Sequence, residues 1–244
     1  MIRQFKKTLL TYESNALVQN DMAESLITLL KNKTGIAYNR TLEIGCGTGL
    51  LTKKIINDFA INELFLNDII DKYDTLIQKR VHKNFIIVQG DIEELSNIPD
   101  NLDLIISNAT FQWIDDQPAL ISKLETKLNN NGILAFTSFG RDHFNEIKAL
   151  TNIGLDYIDC DFYKTLNKYE LIHCSTETTQ LWFPDPVSVL HHIKFSGVNG
   201  IETPKWTKGK LDAFCKSYIK RFNTLKGVPL TYNPTFIILK KKAV

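Results

Sequence analysis

The most informative segment of the chain, residues 42–51, reads Leu42-Glu43-Ile44-Gly45-Cys46-Gly47-Thr48-Gly49-Leu50-Leu51. It passes from an apolar run through three closely spaced glycines into a second apolar segment, which is typical of a strand, a tight turn and a helix. Glycine lets a ligand approach the backbone, and the first turn of the following helix offers free N–H groups at its positive end. The pattern therefore predicts a ligand site in the turn.

The glycine spacing and a neighbouring charge argue against the common phosphate sites. A dinucleotide fingerprint needs a third glycine where this chain has Leu50, and a P-loop needs a lysine that does not follow here. Glu43, two residues before Gly45, would repel a pyrophosphate but suits a ligand with an ammonium group. The turn therefore favours a cationic nucleoside.

Acidic residues follow the next two predicted strands. Asp68 lies 21 residues after Gly47, where a carboxylate can accept hydrogen bonds from ribose hydroxyls. Asp91 either accepts a hydrogen bond from an adenine amino group, with Ile92 packed on the ring, or caps a helix.

Short apolar runs alternate with amphipathic stretches in the first 140 residues. The runs predict strands buried on both faces and the stretches between them predict helices, so we expect a doubly wound, mostly parallel α/β sheet. The predicted strands are 41–44, 63–66, 85–88, 102–106 and 132–136, and the predicted helices are 1–33, 50–59, 70–80 and 118–128.

The pattern loosens beyond residue 140. We expect helices at 143–153 and 208–221, one or two strands at 169–183, and a last strand at 235–240. The whole chain, 1–244, is predicted to be a single domain with an N-terminal helical cap at 1–35, a cofactor-binding core at 36–140, and a substrate side with a C-terminal insertion at 141–244.

Composition excludes several classes of protein. The 244 residues include 29 Lys and Arg against 27 Asp and Glu, a balance that provides little general affinity for nucleic acid. No run reaches the roughly 18–20 apolar residues that span a bilayer, and the first residues lack a signal-peptide core. Four dispersed cysteines and five histidines without ligand spacing predict reduced thiols and no metal site. We expect a cytoplasmic protein without nucleic-acid or membrane partners.

Together these residues resemble the class I S-adenosylmethionine-dependent methyltransferases. Residues 43–49 are similar to the first motif of that family, and Asp68, Asp91 and Ile92 fall at later motifs. The fourth motif reads Ser107-Asn108-Ala109-Thr110-Phe111-Gln112-Trp113. This form resembles the malonyl-acyl-carrier-protein O-methyltransferases of biotin synthesis and also the trans-aconitate methyltransferases. The segments 5–26, 182–186, 192–199 and 228–234 resemble the biotin-pathway enzymes.

The resemblance implies a seven-stranded Rossmann-like sheet and methyl transfer from S-adenosylmethionine, with S-adenosylhomocysteine as product, to the free carboxylate of a malonyl group on acyl carrier protein. Two alternatives stay open: a small free acid such as trans-aconitate as the acceptor, and a module that binds the cofactor without catalysis. The implied cofactor-binding residues are Tyr12, Gln19, Glu43, Gly45, Cys46, Gly47, Gly49, Asp68, Ile69, Asp91, Ile92 and Asn108.

Substrate contacts are expected after the fifth strand. Arg141 either binds the malonyl thioester or is a solvated loop arginine. An ionised carboxylate leaves no proton to abstract, so His143, His191 and His192 are expected to be structural. A basic segment either forms a solvated helix face or docks the acidic carrier protein, and it comprises Lys205, Lys208, Lys210, Lys216, Lys220 and Arg221.

Overall fold

The computed structural model describes residues 16–70, 77, 84–94, 96–195 and 207–243. The helices are α1 (Leu17–Thr34), α2 (Leu50–Asp58), α3 (Gln117–Lys127), α4 (Asn145–Thr151), α5 (Cys160–Lys164), α6 (Pro186–Phe195) and α7 (Lys208–Phe222). The strands are β1 (Ala37–Ile44), β2 (Ala60–Asp68), β3 (Ile86–Gln89), β4 (Leu102–Ser107), β5 (Leu128–Phe139), β6 (Tyr169–Thr176), β7 (Thr179–Phe183), β8 (Val228–Tyr232) and β9 (Pro234–Lys241). None of the described helices is both long and apolar enough to cross a membrane.

The chain divides into two compact units. The sheet unit is formed by the described parts of 18–138, 159–175 and 235–244. The hairpin unit is formed by the described parts of 1–17, 139–158 and 176–234.

The sheet unit contains a mixed, mostly parallel sheet of seven strands in the order β3-β2-β1-β4-β5-β9-β6. Parallel pairing joins β3 to β2, β2 to β1, β1 to β4 and β4 to β5. The central strands are apolar because both faces of the sheet are covered, and Leu42, Ile44 and Leu104 have no exposed surface. The prediction of a doubly wound seven-stranded sheet is confirmed.

Strand register brings the ends of three strands to one edge of this sheet. Ile44 pairs with Asn67 on one side and with Ser107 on the other, so β1, β2 and β4 end level with each other. Asp68 in turn pairs with Gln89 near the end of β3. The loops that carry the predicted cofactor residues therefore leave the sheet side by side, where open α/β sheets bind their ligands.

Helix α1 buries a stripe that includes Met22, Leu26 and Leu30, spaced four residues apart on one face. Leu17, the first residue of the helix, lies outside that face and is 60% exposed.

The hairpin unit contains an antiparallel pair, β7 and β8, in which Leu181 pairs with Leu230. The Tyr218 hydroxyl of α7 donates to the Pro229 carbonyl of β8 at 2.6 Å. Buried Glu146 of α4 accepts from the Thr231 backbone N–H at 3.0 Å. These bonds attach both helices to the same strand.

The prediction of four separate thiols was wrong for one pair. Cys160, at the start of α5, and Cys174, in β6, form a disulfide between residues 14 apart, with their Cα atoms at 5.7 Å. The two cysteines have no C-x-x-C spacing that would predict their pairing. They come together because the fold places a short helix beside an edge strand. Cys46 and Cys215 are free thiols.

Three elements were missed by the sequence analysis: α5, α6 and β8. Pro186 is the first residue of α6, a position where proline is well tolerated because no N–H is needed there. The predicted helix at 70–80 lies almost entirely outside the described residues, as do the first 15 residues of the predicted N-terminal helix.

Candidate cofactor site

The glycine-rich turn after β1 combines a tight contact with an open space. Gly45 has φ +70°, and a Cβ there would clash with the side chain of Thr110. Gly47 has φ +52°, and a Cβ there would find its nearest neighbour 4.0 Å away, at the Gly45 carbonyl. The absence of a side chain at Gly45 thus lets Thr110 pack on the turn, while the space beside Gly47 is free for a ligand.

The start of α2 is left open on the same turn. Gly49 is its N-cap and forms no side-chain cap hydrogen bond. The uncapped helix N-terminus provides backbone N–H groups and a positive dipole end beside the open space at Gly47.

Asp68 is held against the glycine turn. Its Oδ2 accepts from the Gly47 N–H at 2.9 Å and its Oδ1 accepts from the Ile70 N–H at 2.9 Å. Burial raises the pKa of this carboxyl above its ordinary value, although the backbone donors act against the shift. The structure thus brings together the turn and the acidic residue that the spacing singled out.

Glu43 lies buried below the turn. Its Oε2 accepts from the Thr52 hydroxyl at 2.6 Å. Burial, with a smaller contribution from the nearby Asp68 charge, raises the pKa of Glu43 to about 8. Burial also raises the pKa of the Cys46 thiol. A buried carboxyl group whose pKa is raised, with a second acid close by, forms a site that a cation would stabilise.

Asn108, after β4, is hydrogen-bonded to helix α1 and to strand β5. Its side-chain amide donates to the Gln19 carbonyl at 3.0 Å, and its Oδ1 accepts from the Thr137 hydroxyl at 2.7 Å. The Asn108 carbonyl accepts from the Thr110 hydroxyl at 3.2 Å. Gln19 is buried, and its Oε1 has no hydrogen-bond partner among the described residues. A buried acceptor without a donor is costly, so this oxygen suits a ligand N–H group.

The loop after β3 has a more local arrangement. Asp91 Oδ1 accepts from the Glu93 N–H at 3.0 Å inside a turn, and no helix begins among the described residues of this loop. Ile92 is only 4% exposed, whereas Ile69, which follows Asp68, is 42% exposed. Ile69 therefore presents the larger apolar surface to a ligand.

Arg141 lies in the hairpin unit and is exposed, two residues after the end of β5. Both of its neighbours are held by Asn233: the Gly140 N–H donates to the Asn233 carbonyl at 2.7 Å, and the Asp142 N–H donates to Asn233 Oδ1 at 3.2 Å. The backbone on either side of Arg141 is therefore fixed. Tyr12 lies outside the described residues.

The histidines are packed in different ways. His143 is buried between the rings of Phe139 and Phe144, with centroids 3.7 and 3.9 Å away, and burial holds its pKa well below the ordinary value. His192 Nε2 lies 2.8 Å from the Tyr232 hydroxyl, and burial lowers its pKa as well. Over the described ranges, no cluster of three His, Cys, Asp or Glu side chains could hold a metal ion.

Four polar residues that position the site were missed by the sequence analysis. Thr52 holds Glu43, Thr110 covers Gly45, Thr137 orients Asn108, and the Gln112 amide donates to the Ala109 carbonyl at 2.7 Å. Thr137 and Ser138 interrupt the apolar end of β5, and such an interruption is the one signal that could have indicated a partner across the sheet.

The residues present fit S-adenosylmethionine. The raised pKa of Glu43 favours a positive charge nearby, the Asp68 carboxyl can accept from hydroxyl groups, and the unpartnered Oε1 of Gln19 favours an N–H donor. The open space beside Gly47 and the exposed side chain of Ile69 provide room and an apolar surface. A sulfonium nucleoside with an ammonium group carries positive charge, N–H donors and an apolar base.

Comparison with known proteins agrees with this geometry. A family model described as "Methyltransferase domain" matches residues 42–136. A malonyl-acyl-carrier-protein O-methyltransferase from Calditerrivibrio nitroreducens is 43% identical over 97% of this chain and 94% of its own length. One of the same name from Chlorobium luteolum is 32% identical over 98% of this chain and 94% of its own.

Solved structures support the fold alone. The structure of a putative methyltransferase from Bacillus halodurans has a TM-score of 0.65 at 12% identity, and covers 90% of this chain and all of its own. The fold, the cofactor site and relatives that match over nearly their full length lead to one assignment: the chain belongs to the malonyl-acyl-carrier-protein O-methyltransferase family of class I S-adenosylmethionine-dependent methyltransferases.

Proposed function

We propose that the protein transfers a methyl group from S-adenosylmethionine to the free carboxylate of a malonyl thioester on acyl carrier protein, leaving S-adenosylhomocysteine. The full-length relatives of that name support the substrate. The observation that carries the cofactor is the glycine turn with its two acids, the buried Glu43 and the half-buried Asp68. The methyl ester hides a charge, so that fatty-acid enzymes can elongate the chain.

We propose a role for each residue of the cofactor site. Glu43 and the backbone of the turn hold the methionine end, with Gln19 Oε1 and the Asn108 carbonyl as acceptors for its ammonium group. Asp68 accepts from the ribose hydroxyls, and Ile69, Asp91 and Ile92 surround the adenine. When bound, the cofactor supplies an electrophilic methyl group on a positively charged sulfur.

The acceptor needs alignment but no general base. A malonyl carboxylate is already ionised near pH 7, as are ordinary carboxylates. His143 and His192 are held neutral by burial, which suits packing better than proton transfer. Orientation of the two reactants and exclusion of water can contribute roughly 7–11 kcal/mol to such a transfer. Arg141, on a fixed backbone, would orient the malonyl group through the carboxylate oxygen that does not react.

Helix α7 would provide the basic patch for the carrier. Phe214 and Tyr218 form its buried face, so Lys216 and Lys220 lie on the opposite, exposed face. Lys216 is paired with Asp212 at 2.8 Å, which leaves Lys208, Lys210 and Lys220 as its exposed lysines without an ion pair among the described residues. Lys205 lies outside those residues. Activity on the carrier substrate should fall as ionic strength rises.

A transfer assay with labelled cofactor tests the function. The substrates are malonyl-carrier, acetyl-carrier, which lacks the free carboxylate, and free trans-aconitate. We expect label only on malonyl-carrier. Label on trans-aconitate alone would establish the free-acid alternative, and cofactor binding without transfer to any substrate would indicate a binding module.

A further inference from the structure

The turn between α7 and β8 is closed tightly around an exposed leucine. The Thr224 N–H donates to the Gly227 carbonyl at 2.9 Å, and the Gly227 N–H donates back to the Thr224 carbonyl at 3.1 Å. The Lys226 N–H donates to the Thr224 hydroxyl oxygen at 3.1 Å. Leu225, at the tip, has a relative exposure of 109%. Thr224 and Gly227 make the turn, so the turn itself does not require an apolar residue at Leu225.

A second apolar side chain lies next to this turn. The Lys226 ammonium lies over the ring of Trp182, 5.5 Å from the centroid. Trp182, in β7, is 36% exposed and pairs with Pro229 of β8. Leu225, the Lys226 stem and Trp182 therefore follow one another along one end of the hairpin.

Positively charged residues lie on both sides of Leu225 in the sequence. From Ala213 to Asn233 the chain contains four cations and no Asp or Glu. Two of them, Lys220 and Arg221, occupy the last turn of α7, and Lys226 follows the leucine directly. The Arg221 guanidinium donates to the Ala149 carbonyl at 3.1 Å, which fixes its position.

We propose that this surface, formed by Trp182, Lys220, Arg221, Leu225 and Lys226, docks the acyl carrier protein, with Leu225 inserted between apolar side chains of an acidic helix. The inference rests on the proposed function and locates its protein partner. A single apolar anchor surrounded by charges of one sign matches an acidic partner with a small apolar groove. The phosphates of a nucleic acid would attract the cations but would offer no apolar site for the leucine.

The test compares two substrates with the same reactive group. Malonyl-carrier requires docking of a protein, whereas malonyl-CoA presents the malonyl thioester without one. Leu225→Ser should raise KM for malonyl-carrier at least about tenfold and leave kcat and all malonyl-CoA kinetics unchanged. The matched control is Ile36→Ser, which removes a side chain that is 52% exposed in the sheet unit and should change nothing.

Each outcome decides the inference. Unchanged KM for malonyl-carrier in Leu225→Ser would overturn the docking surface while the proposed function stands. An equal loss with malonyl-CoA would also overturn it, because the defect would then lie in the reaction site.

If the wild type methylates neither thioester, the proposed function fails. Binding of the carrier to wild type and to Leu225→Ser, measured by fluorescence anisotropy, then decides the surface separately, and equal affinities would overturn it.

Discussion

Glu43→Gln is expected to stabilise the cofactor-free protein and, at the same time, to weaken cofactor binding. Glu43 is 1% exposed and has the Thr52 hydroxyl as a hydrogen-bond donor, but the structure provides no cation for it among the described contacts. Glutamine keeps an oxygen that can accept from Thr52 and removes the need to bury a negative charge.

The magnitude follows from the pKa of Glu43. Its ordinary pKa is 4.5, and burial raises it to about 8. As the pH rises from 4.5, the unfolded chain loses this proton while the folded protein keeps it, so the free energy of unfolding falls by about 1.4 kcal/mol per pH unit. By pH 7 the loss amounts to about 3 kcal/mol, and near pH 8 it stops growing. Glu43→Gln removes this loss.

Urea unfolding and calorimetric titration measure the two effects. Without cofactor, Glu43→Gln should be about 3 kcal/mol more stable than wild type at pH 7 and nearly equal to it at pH 4.5. The affinity of the wild type for S-adenosylmethionine should rise towards pH 8, because the cation favours ionised Glu43. The affinity of Glu43→Gln should be at least about tenfold weaker at pH 7 and should lack this pH dependence.

Glu125→Gln is the matched control in the same unit. Glu125 is also buried, but Lys168 and Lys241 lie 2.8 and 3.3 Å from its oxygens and hold its pKa below the ordinary value. Removing its charge should destabilise the protein at pH 7 and leave cofactor affinity unchanged. A fall in stability at pH 7 in Glu43→Gln like that in Glu125→Gln, or wild-type cofactor affinity in Glu43→Gln, would contradict the assigned role of Glu43.

Three further changes test other parts of the structure. Asp68→Ala should weaken cofactor binding at least about tenfold in a calorimetric titration, because charged hydrogen bonds to the ribose are lost; wild-type affinity would contradict the ribose assignment. Cys160→Ser, which removes a disulfide between residues 14 apart, should lower the free energy of unfolding by about 3 kcal/mol; the idea fails if reductant leaves urea unfolding of the wild type unchanged. Arg141→Ala should reduce kcat/KM for malonyl-carrier at least about tenfold; turnover and half-saturation equal to wild type would place Arg141 outside the substrate site.

Much of the fold could be predicted because its signals are local. Alternating apolar runs and amphipathic stretches indicated the parallel sheet, and the glycine turn with Asp68 indicated the site, since strand ends in such a sheet meet at one edge. Observed strand bounds differ from the predicted ones mainly in length: β5 starts at Leu128 although its apolar run starts at Gly132.

The features that could not be predicted depend on contacts distant in sequence. The disulfide joins an unpredicted helix to β6, and β9 lies between β5 and β6 although it comes last in the chain. The Thr137–Asn108 hydrogen bond and the burial of Glu43 against Thr52 likewise exist only once the sheet and α2 have packed. No pattern in a single sequence specifies such partners.

Cofactor binding by a variant with alanine in the open part of the glycine turn shows whether S-adenosylmethionine lies against this turn. Gly47 and Gly35 both have positive φ, and a Cβ on either would meet nothing closer than 4.0 Å, so each alanine variant places a Cβ on a positive-φ residue without a clash. The titration uses S-adenosylmethionine at pH 7 with wild type, Gly47→Ala and Gly35→Ala. We expect saturable binding by wild type and Gly35→Ala and at least about tenfold weaker binding by Gly47→Ala. Equal affinities in all three proteins would show that the cofactor does not lie against this turn.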